Sequence, residues 1–99
     1  MNRISDIDRL IHEPARFMLM SHLYVVKQAD FVLLARQTGL SGGNLSSHMT
    51  KLEKAGYVSV EKSFVDRRPF TLFTMTAKGR KAFQYYRKMM AKALEDPGS

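Results

Sequence analysis

Apolar residues recur along this chain first at helical and then at strand spacing, and the changes of period mark its elements. Ile4, Ile7, Leu10 and Ile11 repeat at intervals of three and four, which predicts a short first helix, with Ser5 and Asp6 as capping candidates at its start. Pro14 interrupts that pattern. Proline suits a first helical turn, so a second helix is expected from about Glu13 or Pro14 to Val26, with Phe17, Met20, Leu23 and Tyr24 inward. Lys27–Asp30 breaks the period and Phe31 is expected in a short extended segment. Val32 to Thr38 reads as a third helix with Leu33, Leu34 and Ala35 inward. Gly39 fits the left-handed position that ends a helix. Leu40 is expected to plug the core, and Ser41 to cap the next helix.

The fourth predicted helix runs from Gly42 to Lys54. Leu45, Met49 and Leu52 stand at i, i+4 and i+7 and share one face. Gly56 stops it, and Tyr57–Glu61 then alternates with β-branched and aromatic residues, as a strand does. Residues 65–69 read as a turn, Phe70–Met75 as an antiparallel second strand, and Thr76 as the cap of a long last helix to about Leu94. Two helices joined by a tight turn and followed by a hairpin predict an α+β, mainly helical fold. It is a winged helix-turn-helix with a two- to three-stranded antiparallel wing and a long C-terminal helix. Ninety-nine residues make one domain, 1–99, with a winged-helix core at 13–76 and terminal helices at 1–12 and 77–95.

Composition narrows the partner. The chain carries net charge +7, unevenly placed: residues 1–31 hold four basic and four acidic residues, whereas residues 62–92 hold nine basic residues and one acid, Asp66. A basic half beside a balanced half predicts a polyanion on one face. The chain has no cysteine, which excludes disulfides and thiolate metal sites. His12, His22 and His48 lack ligand spacing, so neither metal nor cofactor is expected. No apolar run approaches the roughly 20 residues of a membrane helix, and residues 1–6 lack the apolar core of a secretory signal. The expected location is therefore cytoplasmic, at the nucleoid if the partner is DNA.

The fourth predicted helix carries the candidate chemistry. With its apolar stripe inward, Gly43, Asn44, Ser47, Thr50 and Lys51 point outward or flank, and Ser46 and His48 sit at the edges. A major groove about 12 Å wide admits one helix; asparagine pairs with adenine, serine bonds base edges or phosphate, and lysine reaches guanine or phosphate. Ser41, Gly42 and Gly43 start the helix without bulk, so backbone N–H groups there can approach a phosphate. Arg67 and Arg68 fall at the hairpin tip, where arginines reach into narrow minor grooves. Lys62 and Thr71, with Lys78, Arg80 and Lys81, are candidates for phosphate contacts.

Thr38-Gly39-Leu40-Ser41, Leu45-Ser46-Ser47-His48-Met49 and Leu52-Glu53-Lys54-Ala55-Gly56-Tyr57-Val58 together resemble the helix-turn-helix of small winged-helix transcriptional regulators, the ArsR-like and MarR-like repressors. Asp66-Arg67-Arg68-Pro69 and Met75-Thr76-Ala77-Lys78-Gly79-Arg80 are similar to the wing and strand-to-helix join of MarR-like proteins. The resemblance spans about residues 14–83. It implies that Gly42, Asn44, Ser46, Ser47 and His48 face DNA, and that Asp66 braces Arg68 for insertion into a groove. Metal sensing by cysteines, common among ArsR-like proteins, does not carry over.

On the last predicted helix, Phe83, Tyr86, Met90 and Leu94 form one apolar stripe and Ala82, Tyr85, Met89 and Ala93 a second, more than one small core uses. The surplus predicts a two-fold homodimer through Ile4, Ile7, Leu10, Ile11, Tyr85, Tyr86, Met89, Met90 and Ala93, with two reading helices about 34 Å apart on double-stranded DNA. The rival reading is a winged helix used for protein contacts. RNA binding would call for exposed stacking aromatics. No nucleophile–base pair or phosphate loop points to an enzyme, and no residue set marks a small-molecule effector site.

Overall fold

The computed structural model describes residues 7–95. Its elements in chain order are α1 (Pro14–Val26), β1 (Gln28–Asp30), α2 (Phe31–Thr38), α3 (Gly42–Lys54), β2 (Val58–Val65), β3 (Arg68–Met75) and α4 (Ala77–Glu95). The three strands form one antiparallel sheet in the order β1-β3-β2, at the upper end of the two to three expected.

Local chemistry sets the helix ends. Glu13 caps α1 by accepting from the Arg16 N–H, and Pro14 opens the first turn. Asp30 caps α2 by accepting from the Val32 and Leu33 N–H groups, which starts that helix at Phe31 and places the extended segment one to three residues earlier than expected. Gly39 adopts the left-handed φ of 74° and its N–H closes α2 on the Ala35 carbonyl. Ser41 caps α3, and the Thr76 hydroxyl accepts from the Gly79 N–H at the start of α4.

The short first helix does not form over its described part. Residues 7–13 make turns instead: the Asp8 carboxylate accepts from the Leu10 and Ile11 N–H groups. A short polar side chain bonding its own neighbours competes with the helical ladder. Ile4, Ser5 and Asp6 lie outside the described residues. The turn drives Ile11 fully into the core and half-buries Ile7 and Leu10 against it.

That core is a single cluster. Leu19, Met20 and Leu23 of α1, Leu34 of α2, and Leu45, Met49 and Leu52 of α3 meet Val58, Phe73 and Met75 of the sheet and Phe83 and Tyr86 of α4. Two expected inward residues differ. Phe17 is 42% exposed although its ring lies against Phe83 and Tyr86, and Leu33 is 38% exposed because the eight-residue α2 buries only Leu34.

α3, the wing and α4 meet at Tyr57. Its N–H donates to the Leu52 carbonyl, its own carbonyl accepts from the Thr76 N–H, and the Thr76 hydroxyl donates to the neighbouring Gly56 carbonyl. The Tyr57 hydroxyl donates to Asp8 at 2.6 Å, and burial together with that carboxylate pushes the phenol up to about 12. α4 crosses so close that a Cβ on the buried Gly79 would overlap the Tyr57 carbonyl oxygen. Backbone on backbone leaves no soft group to yield. Gly79→Ala is therefore expected to cost about 2 kcal/mol or more, and thermal melting should show a drop of about 10 °C for a domain of this size. An unchanged midpoint would contradict this packing.

Candidate nucleic-acid interface

Burying Leu45, Met49 and Leu52 turns the rest of α3 outward. Gly43, Asn44, Ser47, Thr50 and Lys51 are exposed, as the spacing predicted, and so are Gly42 and Ser46. The hydrogen bonds divide them further. The Ser41 hydroxyl is occupied in accepting from the Asn44 N–H, and Thr50 donates to the Ser46 carbonyl. The Leu45 N–H is bonded to the Ser41 carbonyl. The N–H groups of Gly42 and Gly43 remain for solvent or a ligand, and the side chains of Asn44, Ser47 and Lys51 are free of such local bonds among the described residues. Lys51 and Lys54 also complement the negative end of the helix.

The two glycines are not demanded by the fold. Neither has a positive φ. A Cβ at Gly43 would meet nothing within 4 Å, and one at Gly42 would touch the Phe31 ring at an ordinary 3.7 Å. Two poor helix formers thus stand at a helix start where packing would accept alanine.

His48 is tied into the protomer. The Arg16 Nε donates to the Leu10 carbonyl at 2.6 Å, and an Arg16 terminal nitrogen lies 3.1 Å from His48 Nδ1. A guanidinium only donates, so Nδ1 accepts and the ring proton sits on Nε2. Glu13 approaches the same nitrogen at 3.8 Å, too long for a hydrogen bond. The carboxyl of Glu13 is held below its ordinary range, first by the Arg16 backbone N–H and further by the Arg16 charge. His48 therefore keeps one N–H, at Nε2, on a ring oriented by a residue on α1. Arg16 carried no sequence signal for this role, because its partner lies 32 positions away.

The hairpin supplies the second part. β2 and β3 pair from Val58↔Met75 to Val65↔Arg68, so the turn is shorter than expected and consists of Asp66 and Arg67 alone. Both take positive φ, 51° and 67°. This is the twist that a two-residue hairpin requires, at a cost in strain for arginine. The expected brace from Asp66 to Arg68 is not present: no ion pair joins them among the described residues. Asp66 contributes through its backbone, since aspartate tolerates the left-handed region.

Register sorts the wing's side chains. Val58, Val60, Lys62 and Phe64 share one face with Met75, Phe73, Thr71 and Pro69. This is the core-side face, and beyond the core it borders α3: Ser46, Thr50 and Glu53 share with Lys62 and Thr71 a notch of about 150 Å³. Arg68 alternates to the opposite face and Arg67 occupies the tip. α3 thus lies beside the middle of the wing, at Lys62 and Thr71, and the basic hairpin end extends beyond it.

The expected dimer residues fall into two groups. Ile11 is fully buried, Tyr86 is 5% and Met89 8% exposed, so these three are spent within the protomer, a correction imposed by the N-terminal turn and the packing of α4. Ile7, Leu10 and Met90 are half-buried against the core, and Tyr85 and Ala93 are exposed. Ile4 is outside the described residues. The open apolar surface lies instead around Phe17, where Met18 and Val25 of α1 and Leu94 of α4 are exposed. Among the described residues, no three histidine or acidic side chains gather as a metal would need, and no helix is long and apolar enough to cross a membrane.

Comparison with known proteins agrees with this geometry. The family model for a winged helix DNA-binding domain matches residues 15–94. An uncharacterized protein of Methanocaldococcus jannaschii is 33% identical over 78 residues, 79% of this chain and 85% of that protein. A solved transcriptional regulator homologue from Pyrococcus horikoshii OT3 superposes with a TM-score of 0.86 at 25% identity, covering 93% of this chain and 91% of that one. Overoxidized AbfR bound to DNA shares the fold, with a TM-score of 0.75 at 18% identity over 89% of this chain and 66% of that one. The likeness to MarR- and ArsR-type regulators read from the motifs holds for the fold as a whole.

Two measurements check the site. Nitrogen-15 NMR of the imidazoles should show His48 as the Nε2–H tautomer, and Arg16→Ala should return it to a mixture; a protonated Nδ1 in the native protein would rule out the bond. Gly43→Ala should raise unfolding stability by up to about 1 kcal/mol while weakening duplex binding. A variant that bound as tightly as the native chain would show that the bare helix start serves no ligand.

Proposed function

From the premise that the chain belongs to the winged helix DNA-binding domain family of transcriptional regulators, we propose that it is a homodimeric, sequence-specific regulator of double-stranded DNA. α3 reads the major groove and the wing, residues 62–71, reaches the adjacent minor groove of a pseudo-palindromic site. The observation that carries this reading is an exposed helix face of small hydrogen-bonding groups beside a wing that is basic from Lys62 out to Arg67 and Arg68 at its end. Asn44 and Lys51 have the reach for base edges, with Ser46, Ser47 and the His48 N–H beside them. Gly42 and Gly43 offer backbone N–H groups to a phosphate. Lys62, Thr71, Arg67 and Arg68 continue the basic surface outward.

The dimer completes the reader. One α3 offers few strong base contacts, and two on a two-fold axis double them. The open surface around Phe17, with Val25 82% and Leu94 77% exposed, is the face that a second copy covers, with Tyr85 and Ala93 of α4 at its margin. Residues 13–76 act as the DNA-binding unit and α4 as the dimerising arm of one domain.

The test is a salt series of fluorescence anisotropy on a duplex selected from a random library by the native protein. Affinity should fall steeply with salt, and Arg68→Ala should lower the slope by about one counterion while weakening binding to all sequences alike. Asn44→Ala should instead relax base preference, by about 1–3 kcal/mol at one position. No duplex binding at low salt would refute the function. Sedimentation at micromolar concentration should give twice the chain mass, and a monomer there would refute the dimer.

A further inference from the structure

Phe64 is 74% exposed, near the end of a hairpin that reaches beyond the core. It is not a stray surface residue: register sets it directly opposite Pro69, on the face that carries Lys62 and Thr71 and borders α3. The wing thus ends in an apolar pair on the side of the recognition helix, between Lys62 behind it and Arg67 at the tip. Asp66, the one acid between residues 62 and 92, is held in the turn. An aromatic ring and a proline within a cationic tip match a surface that is anionic at its edges and apolar between them. The minor groove of a duplex is such a surface, with phosphates on the rims and deoxyribose walls inside.

From this placement we infer that Phe64, backed by Pro69, is an apolar wedge that packs against the minor-groove walls of the same duplex that α3 contacts. The inference rests on the DNA-binding reading and adds a specific contact to it. Phosphate contacts by Lys62 and the arginines place the tip. The wedge then removes the Phe64 ring from water, and it favours base steps that open easily, since apolar side chains enter the minor groove by parting such steps. Specificity arises at positions where no hydrogen bond is made. Phe64 carried no signal for this in the sequence, where it stands as one more apolar residue in a strand pattern.

The experiment compares the native protein, Phe64→Ser and Phe64→Leu on the duplex that the native protein selects. Phe64→Ser should bind about tenfold more weakly or worse, while Phe64→Leu stays within about threefold. The salt slope should be unchanged in both, because no cation is lost. Hydroxyl-radical footprinting should show deoxyriboses at the flanking minor groove protected by the native protein and exposed again with Phe64→Ser, while the protection centred on the α3 site persists. Thermal melting of Phe64→Ser should match the native protein, since the ring is outside the core. Equal affinity for Phe64→Ser would overturn the wedge and leave the DNA-binding reading standing. A weaker Phe64→Ser that also sediments with altered mass would overturn it in favour of a contact between protein copies. Failure of the native protein to bind any duplex would remove both readings.

Discussion

Tyr57 is the residue through which α3, the wing and α4 hold their relative positions. Its N–H closes the end of α3, its carbonyl accepts from Thr76 beneath the first turn of α4, and its hydroxyl reaches Asp8 in the N-terminal turn. β2 starts at the next residue. The orientation of α3, the departure of the wing and the crossing of α4 are therefore set at one point. Gly79 is the condition for it, because α4 can lie on the Tyr57 carbonyl only where no Cβ intervenes. Such a junction suits a DNA reader, which must hold a helix and a hairpin at a fixed distance to enter neighbouring grooves.

Around that junction the chain separates stability from recognition. Nearly all of the core cluster comes from one stripe on each element, so the opposite stripes are free to be polar, bare or basic. On α3 this leaves Gly42 and Gly43 where alanine would fit, and at the wing tip it leaves Arg67 in a backbone conformation that glycine would hold more easily. Both choices oppose local propensity. Residues that break a local rule without serving the core are expected at functional positions.

Much of this was legible in the sequence. The Leu45–Met49–Leu52 stripe placed α3 and its outer face because an isolated amphipathic helix reports its own orientation. Gly39, Ser41 and Thr76 marked helix ends because capping is local chemistry. Residues 7–13 depart from the helix that their apolar spacing suggests because Asp8 bonds to its own neighbours, an outcome that spacing does not record. Three of the residues expected at a dimer surface are buried for a related reason: periodicity shows which residues are apolar but not which are already used, and the N-terminal turn consumes Ile11 while the packing of α4 consumes Tyr86 and Met89. The Arg16–His48 bond and the Phe64–Pro69 pair depend on packing and register, which arise only when distant segments meet.

DNA is proposed to meet the outer face of α3 and the wing, and a second copy of the chain to meet the face around Phe17. Titrating a uniformly nitrogen-15-labelled sample with duplex DNA and following every backbone amide by NMR tests this most directly. Shifts are expected to concentrate at residues 41–51 and 62–71, with the α1 residues around Phe17 and the end of α4 unmoved. Shifts centred on Phe17, Val25 and Leu94, with α3 and the wing silent, would contradict it.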